Sequence, residues 1–250
     1  MILRITKDGP HRLFHPLSSE SPLIVYIDIK SPYAFVAKDP TIAMAEEVGV
    51  EIDWRPLTLN IPSYLGSARL DKKGKVTENK RSPVQWVGVK AAYRDARRYA
   101  GLLGYTLRGT EKIWDTRLIH IAMLWAKDQG VDVLLRFLDD VYRRFWVREL
   151  DVEDMEVVID TLTRAGAEVA GFEAHALSQG AEDHDRQQEA IFAAGIFGVP
   201  SYVAEEELFF GRENLPVVRW ILGGRKGPHP DVAYRAFPIE QADTPAPDRR

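Results

Sequence analysis

One stretch limits what this chain can become: residues 22–33, PLIVYIDIKSPY, where a strand passes straight into the start of a helix. Leu23, Ile24, Val25, Ile27 and Ile29 form a short apolar run of strand length, rich in β-branched residues. Ser31 and Pro32 then read as the N-cap and first position of a helix. That helix continues through Ala34, Phe35, Ala37, Ile42, Ala43 and Ala45 to Gly49, its left-handed stop. Ser31 thus stands where a strand's C-terminal end meets a helix N-terminus. Unpaired N–H groups and the positive end of the helix dipole favour an anion there, a thiolate included. A capping Ser31 needs no ligand, so cap, catalytic contact or both remain open.

Residues 50–56 alternate as a strand does, with Val50, Ile52 and Trp54 inward and Glu51, Asp53 and Arg55 outward. Strand, helix and strand with tight connections predict a parallel pair joined by a right-handed crossover. Residues 57–82, with Pro62, Gly66, Gly74 and the run DKKGK, read as a long loop. Helical periodicity starts at Ser82-Pro83, a second cap signal, and runs to Gly104. It resumes over residues 111–129, 131–146, 151–165, 172–179 and 183–194. The aromatic and leucine positions of this block recur at helical spacing and read as core. At GIFGVPSYVAEEELFFGRENL the period changes again: residues 200–203 and 207–210 read as a hairpin with an acidic turn. Gly211 ends the second strand, and residues 213–222 form a closing helix. The expected class is α/β, a mixed sheet built from two sequence-distant halves with a helical insertion between them.

A net charge of −4 with both signs interspersed gives no footprint for nucleic acid or an anionic membrane. No apolar stretch has the length of a membrane span, and the N-terminus lacks the apolar core of a secretory signal, so a cytoplasmic location is expected. The chain has no cysteine. Disulfides, thiolate metal sites, cysteine nucleophiles and dithiol redox chemistry by the protein itself are therefore excluded. Sulfur chemistry here would need a thiol brought by a ligand. His11 and His15 have helical metal spacing, but Gly9 and Pro16 spoil a helix, and residues 1–21 read as a surface-hugging extension. Glu182-Asp183-His184-Asp185 groups metal-capable side chains, but Asp183 reads as a helix cap and adjacent residues do not face one site. A triad from Ser31 or Ser201 with His120 or His184 finds no supporting nucleophile elbow.

YIDIKSPYAF near the start and GIFGVPSYVAEEELFFGRENL near the end, in that order, resemble the DsbA-like branch of thioredoxin-fold proteins. Within it the pattern is most similar to 2-hydroxychromene-2-carboxylate isomerases and kappa-class glutathione transferases. The middle fits as well, with Arg94-Asp95, Arg98-Tyr99-Ala100, and Phe145-Trp146 ahead of the acidic residues 151–154. The resemblance spans about residues 22–225. It implies a thioredoxin-like domain (22–60 and 195–225) interrupted by an all-α insertion (61–194), flanked by the extension 1–21 and a Pro-rich tail 226–250.

The same resemblance implies glutathione as cofactor. Ser31 would take the place of the redox cysteine and hydrogen-bond the glutathione thiol. Pro200 would be the cis-proline, with Val199 pairing its backbone to the cysteinyl part of the tripeptide, and Arg212 and Glu213 fall where relatives contact the γ-glutamyl end. Asn60 or Asn79 would add a ligand contact, while Tyr33, Trp54 and aromatics of the helical block would line an apolar pocket. The implied activity is a glutathione-dependent isomerase or transferase acting on a small conjugated or aromatic electrophile. Its partners would be a small-molecule substrate and, as relatives tend to be dimers, a second copy. The other class is a non-catalytic, redox-inactive binding protein on the same scaffold, marked by a filled cleft at Ser31 or by Arg212 in the ligand's place.

Overall fold

The computed structural model describes residues 14–71 and 73–230. Expectations for residues 1–13, His11 among them, and for the tail from 231 onward lie outside the described residues.

The opening stretch folds as its residues dictate. β1 (Leu23–Ile27) is buried along its whole length, and α1 (Pro32–Val48) begins at Ser31, whose side chain accepts the Ala34 N–H. Gly49 closes α1 at φ 71°, a left-handed conformation that glycine adopts without a Cβ penalty. β2 (Ile52–Pro56) pairs parallel to β1, Val25 opposite Trp54. From the far end of the chain, β5 (Ser201–Ala204) pairs antiparallel to β1, and β6 (Glu207–Phe210) antiparallel to β5. The mixed sheet therefore has the order β2-β1-β5-β6. A strand central to the sheet and covered on both faces has to be apolar throughout, which is what the run at residues 23–27 supplies. The β5–β6 turn is two residues, Glu205 and Glu206, both at positive φ. That geometry matches the twist of a hairpin, and Arg225 bonds Glu205 and Glu207 from outside.

Between the two halves run α2 (Ile61–Leu65), β3 (Ala68–Leu70), β4 (Val76–Asn79) and the helices α3 (Pro83–Leu102), α4 (Arg117–Lys127), α5 (Val131–Trp146), α6 (Met155–Arg164), α7 (Phe172–Ala176) and α8 (Gln179–Ala193). A short 3₁₀ turn (Arg212–Asn214) and α9 (Leu215–Leu222) are the last elements among the described residues. Phe35 of α1 joins the sheet to the helical block, its ring 5.3 to 5.8 Å from those of Tyr105, Tyr142 and Trp146. Aromatic pairs at such spacing add to the stabilisation that their burial gives.

Several expectations are corrected. Residues 57–82 are not one loop: they hold α2 and the antiparallel β3–β4 hairpin, so the span 61–194 is not purely helical. The helix expected over 111–129 starts only at Arg117, and Asp183 lies inside α8 instead of capping it, paired to Arg186. Asp53 and Arg55 do not face water. Residues 15–19 cross over them: Arg55 donates to the carbonyls of His15 and Ser18, at 2.6 and 3.0 Å, and Ser19 donates to Asp53 at 2.7 Å. Arg55 and Lys127 complete the satisfaction of the Asp53 carboxylate, so a polar strand face is buried without orphaned groups.

Candidate functional site

Where β1 hands over to α1, a cleft of about 390 Å³ opens between the sheet and the helical block. Its floor is Lys30, Ser31, Pro32 and Tyr33; opposite them lie Phe197, Gly198 and Val199. The remaining wall is largely apolar and aromatic, with Leu59 and Tyr64 from the segment after β2, Tyr93 from α3, Trp114, and Phe210 at the end of β6. That size and lining suit a small-molecule site.

Ser31 is both a cap and a lining residue. Its oxygen accepts the Ala34 N–H at 3.3 Å, which uses a lone pair and leaves its own hydroxyl hydrogen unspent. The Val199–Pro200 peptide is cis. The sheet's backbone pairing ends beside it with Gly211 N–H to Pro200 C=O, so Val199 has no backbone partner among the described residues. Gly198 permits this wall to close: a Cβ there would lie 2.5 Å from the Phe210 ring, which in turn packs 4.8 Å from the Phe197 ring.

Other expected site residues fall elsewhere. Trp54 is fully buried in the core and does not reach the cleft. Arg212 lies over the Tyr99 ring at 3.2 Å, and Arg212 and Glu213 are outside the cleft lining, while close enough to Tyr33 to act on its charge state. Burial and a hydrogen bond to Asp95 raise the Tyr33 pKa above the usual phenol value, with Arg212 opposing. Asn79 is occupied by Trp86 and the Arg81 N–H, and Asn60 precedes α2 without making a side-chain cap. Ser201 donates to the Gly198 carbonyl at 2.7 Å, so it does not engage a histidine.

The sequence reading missed the polar groups beneath the floor. Asp28 is fully buried, accepting the Lys30 and Leu59 N–H groups at 3.1 and 2.8 Å, and so ties the end of β1 to the segment after β2. Burial pushes its carboxyl up, but His120 and Lys30 outweigh that and hold it at about 2. Lys30 is itself 6% exposed, with its ammonium 3.4 Å from Asp28 and 3.1 Å from the Thr116 hydroxyl. Thr116 precedes α4 in the cap position, yet its hydroxyl turns to Asp28 at 2.8 Å. Asp28 stands three residues before Ser31 and so was open to a local reading; nothing local placed Thr116 or His120 beside it, since both arrive from 86 or more residues away. Nearer the mouth, Arg81 lines both this cleft and an adjoining cavity of about 240 Å³ bounded also by Lys90, Arg97 and Lys112. Its Nε is buried without a hydrogen-bond partner. Among the described residues no group of three or more histidine or acidic side chains could hold a metal ion.

Residues 22–223 match the family model of the DSBA-like thioredoxin domain. A 2-hydroxychromene-2-carboxylate isomerase from Sphingobium xenophagum is 25% identical over 198 residues, which cover 76% of this chain and 92% of that protein. Among solved structures, a probable DsbA oxidoreductase from Streptomyces coelicolor superposes with TM-score 0.63 at 19% identity, covering 84% of this chain and 92% of that one. A 2-hydroxychromene-2-carboxylate isomerase (HCCA isomerase) follows at TM-score 0.59 and 19% identity, covering 86% and 97%. The family match reaches from β1 through the helical block to α9. No helix of the described residues is long and apolar enough to cross a membrane.

Proposed function

The chain belongs to the DSBA-like thioredoxin domain family, and on that premise we propose that it is a glutathione-dependent isomerase or transferase acting on a small conjugated or aromatic electrophile. The distant likeness to an isomerase supports catalysis, and the absence of cysteine turns the chemistry away from the dithiol exchange open to the scaffold. The observation that carries the reading is the pairing of Ser31 and Val199 in one aromatic-walled cleft. One offers a hydroxyl hydrogen at a helix N-terminus; the other offers backbone at a strand end that is unpaired among the described residues.

These groups fit glutathione by their chemistry. An extended peptide can add to backbone left open at a strand end, which is the role proposed for Val199 and Pro200. Arg212 and Glu213, past Tyr33, are proposed for the γ-glutamyl end. Bound there, glutathione would supply a nucleophilic sulfur. Ser31 and the N-terminus of α1 favour that sulfur as an anion, because a hydrogen bond and the helix dipole both stabilise charge over neutrality. Tyr64, Tyr93, Trp114, Phe197 and Phe210 hold a flat apolar partner and keep water from it. The unsatisfied Nε of Arg81 is the group that an acidic substituent on that partner would fill. An open cleft at Ser31, with Arg212 on Tyr99, favours this over a binding protein whose site has closed.

Calorimetry with glutathione and ultraviolet titration of the bound thiol test the proposal. The expected result is saturable binding with a lowered thiol pKa. Ser31→Asp, which keeps a capping acceptor but presents no hydrogen, should weaken binding of the thiolate about tenfold or more. No heat of binding in the wild type, or an unchanged thiol pKa in the variant, would sink it.

A further inference from the structure

Behind the cleft wall lies a row of buried polar groups for which the thiolate reading has no use. His120 is fully buried, its Nε2 3.3 Å from Asp28 Oδ1 and 3.3 Å from the Ile29 N–H that points at it. From His120 the row runs outward. Nδ1 is 2.6 Å from Thr58 Oγ1, and Thr58 Oγ1 is 2.9 Å from His184 Nε2. His184 is buried, with Nδ1 3.1 Å from the carboxylate of Asp185, which is exposed at the surface and held by Arg117 Nε at 2.9 Å. Inward, Asp28 meets Lys30 in the cleft wall.

The hydrogens along this row can be assigned by elimination. An ionised Asp185 only accepts, so His184 carries its hydrogen on Nδ1 and receives one at Nε2 from Thr58. Thr58 has then given its single hydrogen and must accept from His120 Nδ1. His120 Nε2 is left with a lone pair, as the incoming Ile29 N–H requires. Every link points the same way.

We propose that His120, Thr58 and His184 form a proton path between Lys30 in the cleft wall and Asp185 at the surface. One proton leaves the Lys30 ammonium and passes over the Asp28 carboxylate to His120 Nε2. His120 gives its Nδ1 hydrogen to Thr58, Thr58 gives its own to His184 Nε2, and His184 gives its Nδ1 hydrogen to Asp185. One proton has entered and one has left; both imidazoles end neutral with hydrogen on Nε2. Lys30 ends as a neutral amine that can take the proton of an acid in the cleft. Run in reverse, the row returns a proton to the cleft. The other titratable groups facing it are Arg117 beside His184, Tyr142, whose hydroxyl is 3.5 Å from the Asp28 carbonyl, and Tyr64, which feels the Asp28 charge. The identity of the acid, a glutathione thiol, rests on the function proposed above; the path itself does not.

The test therefore has two arms on the full-length protein, with Thr58→Val as the break and Thr58→Ser as the control that keeps the hydroxyl. In the first, nitrogen-15 imidazole spectra without any ligand give the tautomers and the solvent exchange of the His120 Nδ1 hydrogen. The path requires Nδ1–H on both histidines and exchange that slows about a hundredfold in Thr58→Val but not in Thr58→Ser. Hydrogen on Nε2 of either ring, or unaltered exchange, overturns it. In the second arm, glutathione is mixed with the protein and an indicator dye follows proton release. Release should slow in Thr58→Val and recover with added imidazole. Wild-type rates in that variant would overturn the path, whereas no thiolate signal in the wild type would overturn the thiol reading and leave the first arm to decide.

Discussion

Replacing Asp28 by asparagine tests the buried charges under the cleft most directly. The carboxyl is held at about 2 in place of its ordinary 3.8, because His120 and the Lys30 ammonium together outweigh its desolvation. At about 1.4 kcal/mol for each pH unit, the gap corresponds to about 2.5 kcal/mol of stability. Its sign follows from the direction. A carboxyl whose pKa is depressed by folding contributes fully above its unfolded value and loses that contribution as pH falls towards the folded one. The contribution should be intact above about pH 5 and about half gone by pH 3. In Asp28→Asn it never exists, and Lys30 is left buried with Thr116 as its remaining partner. Removing one partner of a buried pair costs about 3–5 kcal/mol at neutral pH. Urea unfolding of both proteins across this range should show that large gap narrowing by about 1 kcal/mol by pH 3. A gap that is small at neutral pH, or constant into acid, would refute the account of Asp28 as an ionised, charge-paired group.

Further outcomes follow from the same structure. His184 is held at about 4 by burial, with His120 adding to that and Asp185 opposing, below its ordinary 6.5; stability should fall by about 3 kcal/mol as pH drops from 6.5 to 4, where the unfolded chain takes up a proton that the folded one refuses. His184→Gln should abolish that slope in urea titrations, and a slope unchanged by the substitution would count against the burial of a neutral ring. Gly198→Ala would drive a methyl group into Phe210, so glutathione affinity should drop and stability fall by about 1–3 kcal/mol; a crystal structure with Phe210 unmoved would contradict this. Arg55→Ala should release the segment 15–19 from the back of β2, seen as new proteolytic cleavage there with about 3 kcal/mol lost; an uncut segment would mean that Arg55 does not anchor it.

Local signals were enough to place much of the fold. The Ser31-Pro32 start, the Gly49 stop and the strongly periodic α5 are recovered because each depends on groups within a turn or two of one another. Residues 57–82 misled because short strands with charged, exposed side chains leave no alternation to read. Asp53 and Arg55 misled for the converse reason: alternation marks what faces away from one side of a sheet, and says nothing of a segment 34 or more residues distant that covers that side. The candidate site divides in the same way. Ser31, Val199 and Pro200 were legible as motif residues, whereas Trp54 was assigned to a pocket from its chemistry alone and belongs to the core.

By itself, the sequence determined that no thiol of the protein could act, and that a serine would cap a helix directly after a buried strand, because composition and capping are local matters. Only the tertiary structure decided what stands around that serine. The aromatic wall and the row from Lys30 through Thr58 to Asp185 join residues far apart in the chain. Buried polar groups must find partners wherever the fold supplies them, and that requirement leaves no periodic trace along the chain.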